Sequence, residues 1–280
     1  MRQLIVIGIE DPLLERLRGR IDANFTVYPN VPRILSHGGQ TYVESARIMN
    51  HWLKPDGIIY HGYYFNDHVP AARRALALSD TPTFPDVRRT LPHDDRAVSL
   101  AMAMAADRPR KLDVVRRGFI PKGEDFGLKD RVVVKEGAVH CGEGVSLLDF
   151  REGGNGDVLR GTFEGIVEPF FEGRSERILI IGGHFYHLRY ESEDWRKNVR
   201  TTKVLKLAND FTPDLIERTS ALLQRLDLQI AGVDFLMHGD TAHLLEVNAY
   251  PGLDDVPEAL DAWANAAYQW WATKVEPRTP

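Results

Sequence analysis

The chain has 280 residues, long enough to bury a sizeable core as two compact domains or one large one. Its 35 Lys+Arg against 40 Asp+Glu leave a net charge of −5, which argues against a general binder of nucleic acid or anionic membrane. No apolar run approaches the roughly 20 residues that span a bilayer, the start Met1-Arg2-Gln3-Leu4-Ile5-Val6 lacks a secretory cleavage pattern, and the lone Cys141 excludes an internal disulfide framework. A cytoplasmic protein with no nucleic-acid or membrane partner is expected.

The first part of the chain alternates short apolar runs with helical patterns, which predicts βα units and a mainly parallel sheet. Strands are expected at 4–9, 25–28 and 57–60. Leu13, Leu14, Leu17 and Ile21 recur at helical spacing, as do Val43, Ala46 and residues 49–53, so both segments read as crossover helices. The loops Ser36-His37-Gly38-Gly39-Gln40 and His61-Gly62-Tyr63-Tyr64 follow the second and third strands, and ligands of open α/β sheets bind beyond the carboxyl ends of strands. The Pro-rich stretch Thr81-Pro82-Thr83-Phe84-Pro85, with Pro92 after it, marks a boundary near residue 90.

Beyond it, 94–106 reads as a helix, and 114–119 and 131–135 as strands flanking a turn at Lys122-Gly123-Glu124. Val132-Val133-Val134-Lys135 is an apolar strand ending in a lysine, followed by Gly142-Glu143-Gly144-Val145. A lysine there can act as a point charge on phosphate, and a Gly-x-Gly turn lets backbone N–H groups approach phosphate oxygens, although most such turns only reverse the chain. His140 and Cys141 inside this loop read as incidental. Gly153-Gly154-Asn155-Gly156-Asp157 is a second flexible joint. Strands follow at 165–170, 178–181 and 185–190, then a helix at 213–226 and a closing helix at 256–273 that carries Trp263, Trp270 and Trp271. His184 and His187 would lie on opposite faces of their strand, which makes a shared zinc site a poor reading.

Between those helices lies the most informative segment. Gly232-Val233-Asp234-Phe235-Leu236 and Leu244-Leu245-Glu246-Val247-Asn248-Ala249-Tyr250-Pro251-Gly252 form two apolar runs joined across His238-Gly239-Asp240, a hairpin that would gather Asp234, Glu246 and Asn248. Glu246 and Asn248 are two apart and face the same way on a strand, the spacing two oxygen donors need to share one metal. Hard Mg²⁺ prefers such ligands and completes its shell with water and nucleotide phosphates.

Asp234 with Leu-Glu-Val-Asn-Ala-x-Pro-Gly resembles the metal-binding end of the ATP-grasp superfamily, closest to the carboxylate-amine ligase branch that includes the ribosomal-protein glutamate ligases (RimK-like). The resemblance covers residues 94–255. It implies an α/β protein with α+β elements: an N-terminal parallel-sheet domain on the substrate side (1–90), then two α+β subdomains that clasp ATP, one with the phosphate-loop lid (91–162) and one with the adenine hinge and metal hairpin (163–280). Lys135, Gly142, Gly144 and Val145 would then meet the nucleotide. Ile166-Val167-Glu168-Pro169-Phe170-Phe171-Glu172-Gly173 resembles the hinge strand whose backbone edge meets adenine. Pro169 keeps a carbonyl acceptor and Phe171 an N–H donor, although proline departs from the usual residue and weakens the register by one position. Glu176, or failing that Glu172, would accept from the ribose hydroxyls.

Asp194-Trp195-Arg196-Lys197-Asn198 resembles the aromatic-Arg-x-Asn element of the same branch. By this resemblance Arg177 and Asn198 join the nucleotide site, and Arg189 and Arg196 act with Lys135 in catalysis, where planar guanidinium groups stabilise transferring charge. The implied activity is an ATP- and Mg²⁺-dependent ligase, with Mn²⁺ as a substitute, that activates a carboxylate as an acyl phosphate and passes it to an amine; a homo-oligomer is compatible with it. An ATP-grasp kinase and a nucleotide-binding module without chemistry are the alternatives.

Overall fold

Strands buried on both faces read as unbroken apolar runs, and the two central strands of the N-terminal sheet, 3–7 and 57–60, are of this kind. In the computed structural model, β1 (Gln3–Ile7), β2 (Asn24–Tyr28), β6 (Gly57–Tyr60) and β7 (Thr83–Phe84) form a parallel sheet of order β2-β1-β6-β7. The structure describes residues 1–61, 69–107, 112–114, 118–120, 130–136, 144–151, 165–196, 203–207, 213–253 and 256–276. Leu4 and Val6 point into one core with Leu13, Leu14 and Leu17 of α1 (Asp11–Arg18). Ile5 and Ile7 point into the other, with Leu76 of α2 (Val69–Ala77).

The crossover helix expected over 43–53 is not formed. β3 (Ile34–His37), β4 (Gln40–Glu44) and β5 (Trp52–Leu53) make a small antiparallel sheet instead. Gly38 and Gly39, at φ 56° and 74°, close the β3/β4 hairpin in two residues, and two consecutive positive-φ positions are what a tight hairpin turn needs. Burial in β4 alternates with period two, with Thr41 and Val43 inward, while Ile48 and Met49 are exposed. The loop 36–40 is thus this hairpin, not a turn at the end of a parallel strand. The loop at 61–64 lies outside the described residues beyond His61.

After α3 (Val87–Thr90), a 3₁₀ turn and α4 (Arg96–Ala106), capped by the Asp95 carboxylate on the Val98 N–H, come two antiparallel sheets. The first has the order β11-β10-β12-β9, from β9 (Gly118–Ile120), β10 (Arg131–Glu136), β11 (Val145–Asp149) and β12 (Gly165–Pro169). The second has the order β15-β14-β13-β16-β17-β8, from β8 (Asp113–Val114), β13 (Arg174–Ile181), β14 (His184–Glu191), β15 (Lys203–Leu207), β16 (Ile230–His238) and β17 (Thr241–Asn248), with β8 the one parallel neighbour among these pairings. α5 (Pro213–Arg225) covers one face of this sheet through Leu215, Leu222 and Leu223. α6 (Pro257–Trp270) packs on α1 and on β13, so it ties the six-stranded sheet to the parallel one. Trp263 and Trp271 are fully buried there, with Phe84 edge-on to Trp263 at 5.1 Å. Among the described residues no helix is long and apolar enough to cross a membrane.

Candidate active site

Paired residues of adjacent strands share a face and neighbours along a strand alternate, so the registers state which side chains meet. In the four-stranded sheet Lys135 pairs with Val145 and Ile166, and Val133 with Leu147 and Glu168. One face therefore carries Lys135, Val145 and Glu168 together with Val133, Leu147 and Ile166. The opposite face supplies Val132, Val134 and Val167 to a small core. Lys135 forms an ion pair with Glu168, and both side chains are largely buried. Gly144, at φ 58°, makes the turn into β11. Gly142, His140 and Cys141 lie outside the described residues.

The segment from β12 to β13 carries the chain from this sheet to the larger one. Phe170 N–H donates to the Arg131 carbonyl at 3.1 Å, and the Arg131 guanidinium lies 4.4 Å over the Phe170 ring. Phe171 stacks on His243 with centroids 4.5 Å apart and planes at 10°. A Cβ at Gly173 would stand 2.4 Å from the Met237 carbonyl oxygen, so only glycine lets the chain come this close to β16. Glu172 is exposed and held by Arg131 at 2.7 Å, which lowers its pKa.

The six-stranded sheet holds the second group. Asp234 pairs with Glu246, and Gly232 with Asn248. The register shifts between Asp234 and Phe235, because Phe235 pairs with Leu244 and leaves Leu245 as an extra residue. This bulge solves a problem of pattern. Strict alternation would put Leu244, Glu246 and Asn248 on one face; with the bulge, Leu244 and Val247 enter the core while Glu246 and Asn248 stay with Asp234. Asn248 Oδ1 accepts from the Tyr250 N–H at 2.9 Å.

Arg177 also belongs to this face. Its register partner is Asp234, and it donates to both carboxylate oxygens, at 2.6 and 2.8 Å. Burial weakens its charged form, but Asp234, Tyr190 and Glu246 outweigh that and raise its pKa well above the ordinary value. A Cβ at Gly232 would lie 3.2 Å from Arg177 Cδ, Arg177 Nε and Pro251 Cβ. Glycine at 232 thus leaves the space in which the arginine crosses the strand.

Glu176 and Arg189 stand elsewhere. They pair with each other, and Glu176 pairs with Phe235, on the face opposite Asp234. Glu176 is buried, 2.9 Å from His187 Nε2 and 3.3 Å from Arg189 Nε and from an Arg174 nitrogen. Burial alone would raise its pKa; the His187 hydrogen bond and the cations prevail and lower it. His184 and His187 do fall on opposite faces, pairing with Ile181 and Ile178. Arg196 is bonded to Asp194 at 2.8 Å beside Trp195, whose ring meets Phe170 edge-on at 6.2 Å. Asn198 lies outside the described residues.

Two groups therefore come together, Lys135 with Val145 and Glu168, and Arg177 with Asp234, Glu246 and Asn248. A further set had no signal in the sequence: Tyr60, Arg73, Thr90 and Ser99, which surround Tyr250 and Val247. Their spacing in the chain is irregular, and only the fold assembles them.

No family model matches the sequence, and no curated protein matches it. Solved structures do. A RiPP-associated ATP-grasp ligase from Chryseobacterium gregarium, in complex with ADP and a leader and core peptide, is similar with a TM-score of 0.70 at 14% identity, over 100% of both chains. The ATP-grasp ligase PsnB, complexed with a minimal precursor, gives 0.67 at 15% identity over 96% of this chain and 99% of that one. D-alanyl-alanine synthetase A from Vibrio cholerae gives 0.70 at 12% identity over 98% of each. The chain has the ATP-grasp fold.

Proposed function

We propose that this protein is an ATP- and Mg²⁺-dependent ligase that joins a carboxylate to an amine, in the manner of the RimK-like branch. The observation that carries the reading is the convergence of Arg177, Asp234, Glu246 and Asn248 on one face of a sheet in a chain of ATP-grasp fold. Among the described residues no three His, Cys, Asp or Glu side chains form a metal cluster on their own. The Asp, Glu and Asn oxygens nevertheless fit a hard cation that takes the rest of its shell from phosphates and water.

Glu246 and Asn248 would hold Mg²⁺ with Asp234, whose carboxylate Arg177 grips through both oxygens and aims. Bound Mg²⁺ supplies charge neutralisation to the phosphates. Lys135 would sit on nucleotide phosphate beside the Val145 and Glu168 side chains, and the 169–171 backbone would meet the adenine edge. The substrate carboxylate oxygen bonds to the γ-phosphorus as the bond to ADP breaks; the amine nitrogen then bonds to the acyl carbon, the bond from that carbon to the phosphate oxygen breaks, and the amine's proton passes to the departing phosphate or to water. Positioning and charge stabilisation suffice for such transfer, so no covalent nucleophile is required. Two of the similar structures hold precursor or leader and core peptides, which supports a peptide substrate, while the likeness to D-alanyl-alanine synthetase supports a small amino acid equally well. The parallel sheet, ending at β7, supports a separate substrate-side unit over 1–90. An ATP-consuming role also supports a cytoplasmic site.

The test is ADP release from ATP and Mg²⁺ over a pool of amino acids, organic acids and short acidic peptides, with hydroxylamine as a generic amine and products read by mass. A hydroxamate formed in step with ADP is expected. ADP with a stable phosphorylated product and no hydroxamate would replace the ligase with a kinase.

A further inference from the structure

Tyr250 sits two residues beyond Asn248 and is held on every side. Its ring is edge-on to Tyr60 with centroids 6.3 Å apart at 85°, its hydroxyl bonds the Thr90 hydroxyl, and the Arg73 guanidinium lies 4.1 Å over its centroid. Arg73 is itself buried, ion-paired with Asp94 and 3.4 Å from the Tyr60 hydroxyl. Ser99 Oγ adds a bond to the Val247 carbonyl at 3.1 Å and is backed by His93 Nδ1 at 2.8 Å. Helices α2, α3 and α4 thus each place one side chain on the segment 247–250.

The consequence falls on Asn248. An asparagine amide can present either its oxygen or its NH₂ in a given direction. The Tyr250 N–H donates to Asn248 Oδ1, and with the side chain flipped two donors would face each other. The carbonyl oxygen has a second lone pair, which is left for a cation. The backbone N–H can enforce this orientation only while Tyr250 keeps its place, and the planar guanidinium of Arg73 suits that task because it stacks on the ring and still reaches Asp94.

We infer that Arg73 is a positioning residue of the metal end of the site: through the Tyr250 ring it fixes the backbone N–H that orients Asn248. This rests on the metal reading proposed above. Arg73 is on the second helix, about 175 positions before Asn248 in the sequence, a separation of the order that only a fold spanning the parallel sheet and the six-stranded sheet can close. The clamp also couples metal affinity to the seating of the N-terminal unit, since Tyr60 and Arg73 belong to it.

The test uses the full chain with ADP and Mn²⁺. Free Mn²⁺ is followed by electron paramagnetic resonance, and metal-free ADP binding by calorimetry. Arg73→Lys keeps the charge and loses the planar stack; it is expected to weaken Mn²⁺ binding about tenfold while metal-free ADP affinity stays unchanged. Asn248→Ala is expected to weaken Mn²⁺ at least as much, and adding Arg73→Lys to it should cost nothing further, the signature of two residues acting through one contact. Wild-type Mn²⁺ affinity in folded Arg73→Lys, or an equal further loss in the Asn248→Ala background, would overturn the clamp. Should Arg73→Lys fail to fold, Arg73→Met/Asp94→Asn removes the ion pair as a unit and is read the same way. Mn²⁺ affinity that survives Asn248→Ala unchanged would overturn the reading of the site, whereas an Asn248 effect without an Arg73 effect overturns only the clamp.

Discussion

The two faces of the six-stranded sheet both bury a carboxylate among cations, yet only one of them reads as a site. On one face Asp234 is bonded by Arg177, with Glu246 opposite it in register and Asn248 two positions on. On the other, Glu176 is surrounded by His187, Arg189 and Arg174. In the second cluster one anion is held by three groups that can carry positive charge, so the carboxylate is satisfied within the protein and has no oxygen to spare for a metal. The first has more oxygen donors than cations, and its backbone is shaped around them by a bulge at Leu245 and a glycine at 232. A buried ion pair is therefore weak evidence of function; an excess of hard donors on a face with a shaped backbone is stronger.

The largest break in this comparison is expected from Glu246→Ala. Removing a metal ligand should lower turnover by about a thousandfold or more, the scale of several kcal/mol of charge stabilisation. Glu246 is only partly buried, so the thermal midpoint should move little. Calorimetric unfolding beside the ADP-release assay checks both, and full turnover by a folded Glu246→Ala protein would remove the metal assignment.

Much of this hairpin was legible because Asp234, Glu246 and Asn248 announce themselves by type and spacing within fifteen positions. Lys135 was legible for the same reason, as a charge at the end of an apolar strand. What the spacing did not carry was the side of the sheet for Glu176 and Arg189. Adjacent residues in a strand face opposite ways, so Glu176 and Arg177 divide between the two faces, and a one-residue shift of register exchanges them. Nor did helical spacing distinguish Val43, Ala46 and Met49 from a hairpin. The Gly38-Gly39 pair was the better signal, because two positive-φ residues between alternating strands outweigh a three-point periodicity. The Arg73 clamp had no local signature at all, since its members meet only through the packing of α2, α3 and α4 on the hairpin's end.

Arg177→Met tests whether the arginine is part of the fold or only of the chemistry. It leaves Asp234 buried without its bidentate partner, and breaking such a pair costs about 3–5 kcal/mol of unfolding free energy. Denaturant melts should show that loss together with a fall in turnover. The double variant Arg177→Met/Asp234→Leu should recover most of the stability, because the lone charge is gone, and none of the turnover. A single variant as stable as the wild type would mean that Asp234 finds water or another partner, and the two faces would then differ less than their geometry implies.

The smallest expected effect, and the one that sharpens the comparison most, belongs to Glu176→Gln on the other face. The amide keeps its shape and a carbonyl acceptor for His187 or Arg189, so the loss should be about 1–2 kcal/mol. Its pH dependence identifies the cause. The folded pKa of Glu176 lies below its ordinary 4.5, so its contribution is present above the unfolded value and is lost as pH falls through the folded one. Wild-type protein should therefore destabilise between about pH 5 and the folded pKa, and Glu176→Gln should show a shallower slope there and converge on the wild type at the acid end. ADP affinity should be unchanged, because the side chain faces away from Asp234. Weaker ADP binding in Glu176→Gln at neutral pH would instead return Glu176 to the ribose, and with it the expectation that both faces of the strand serve the nucleotide.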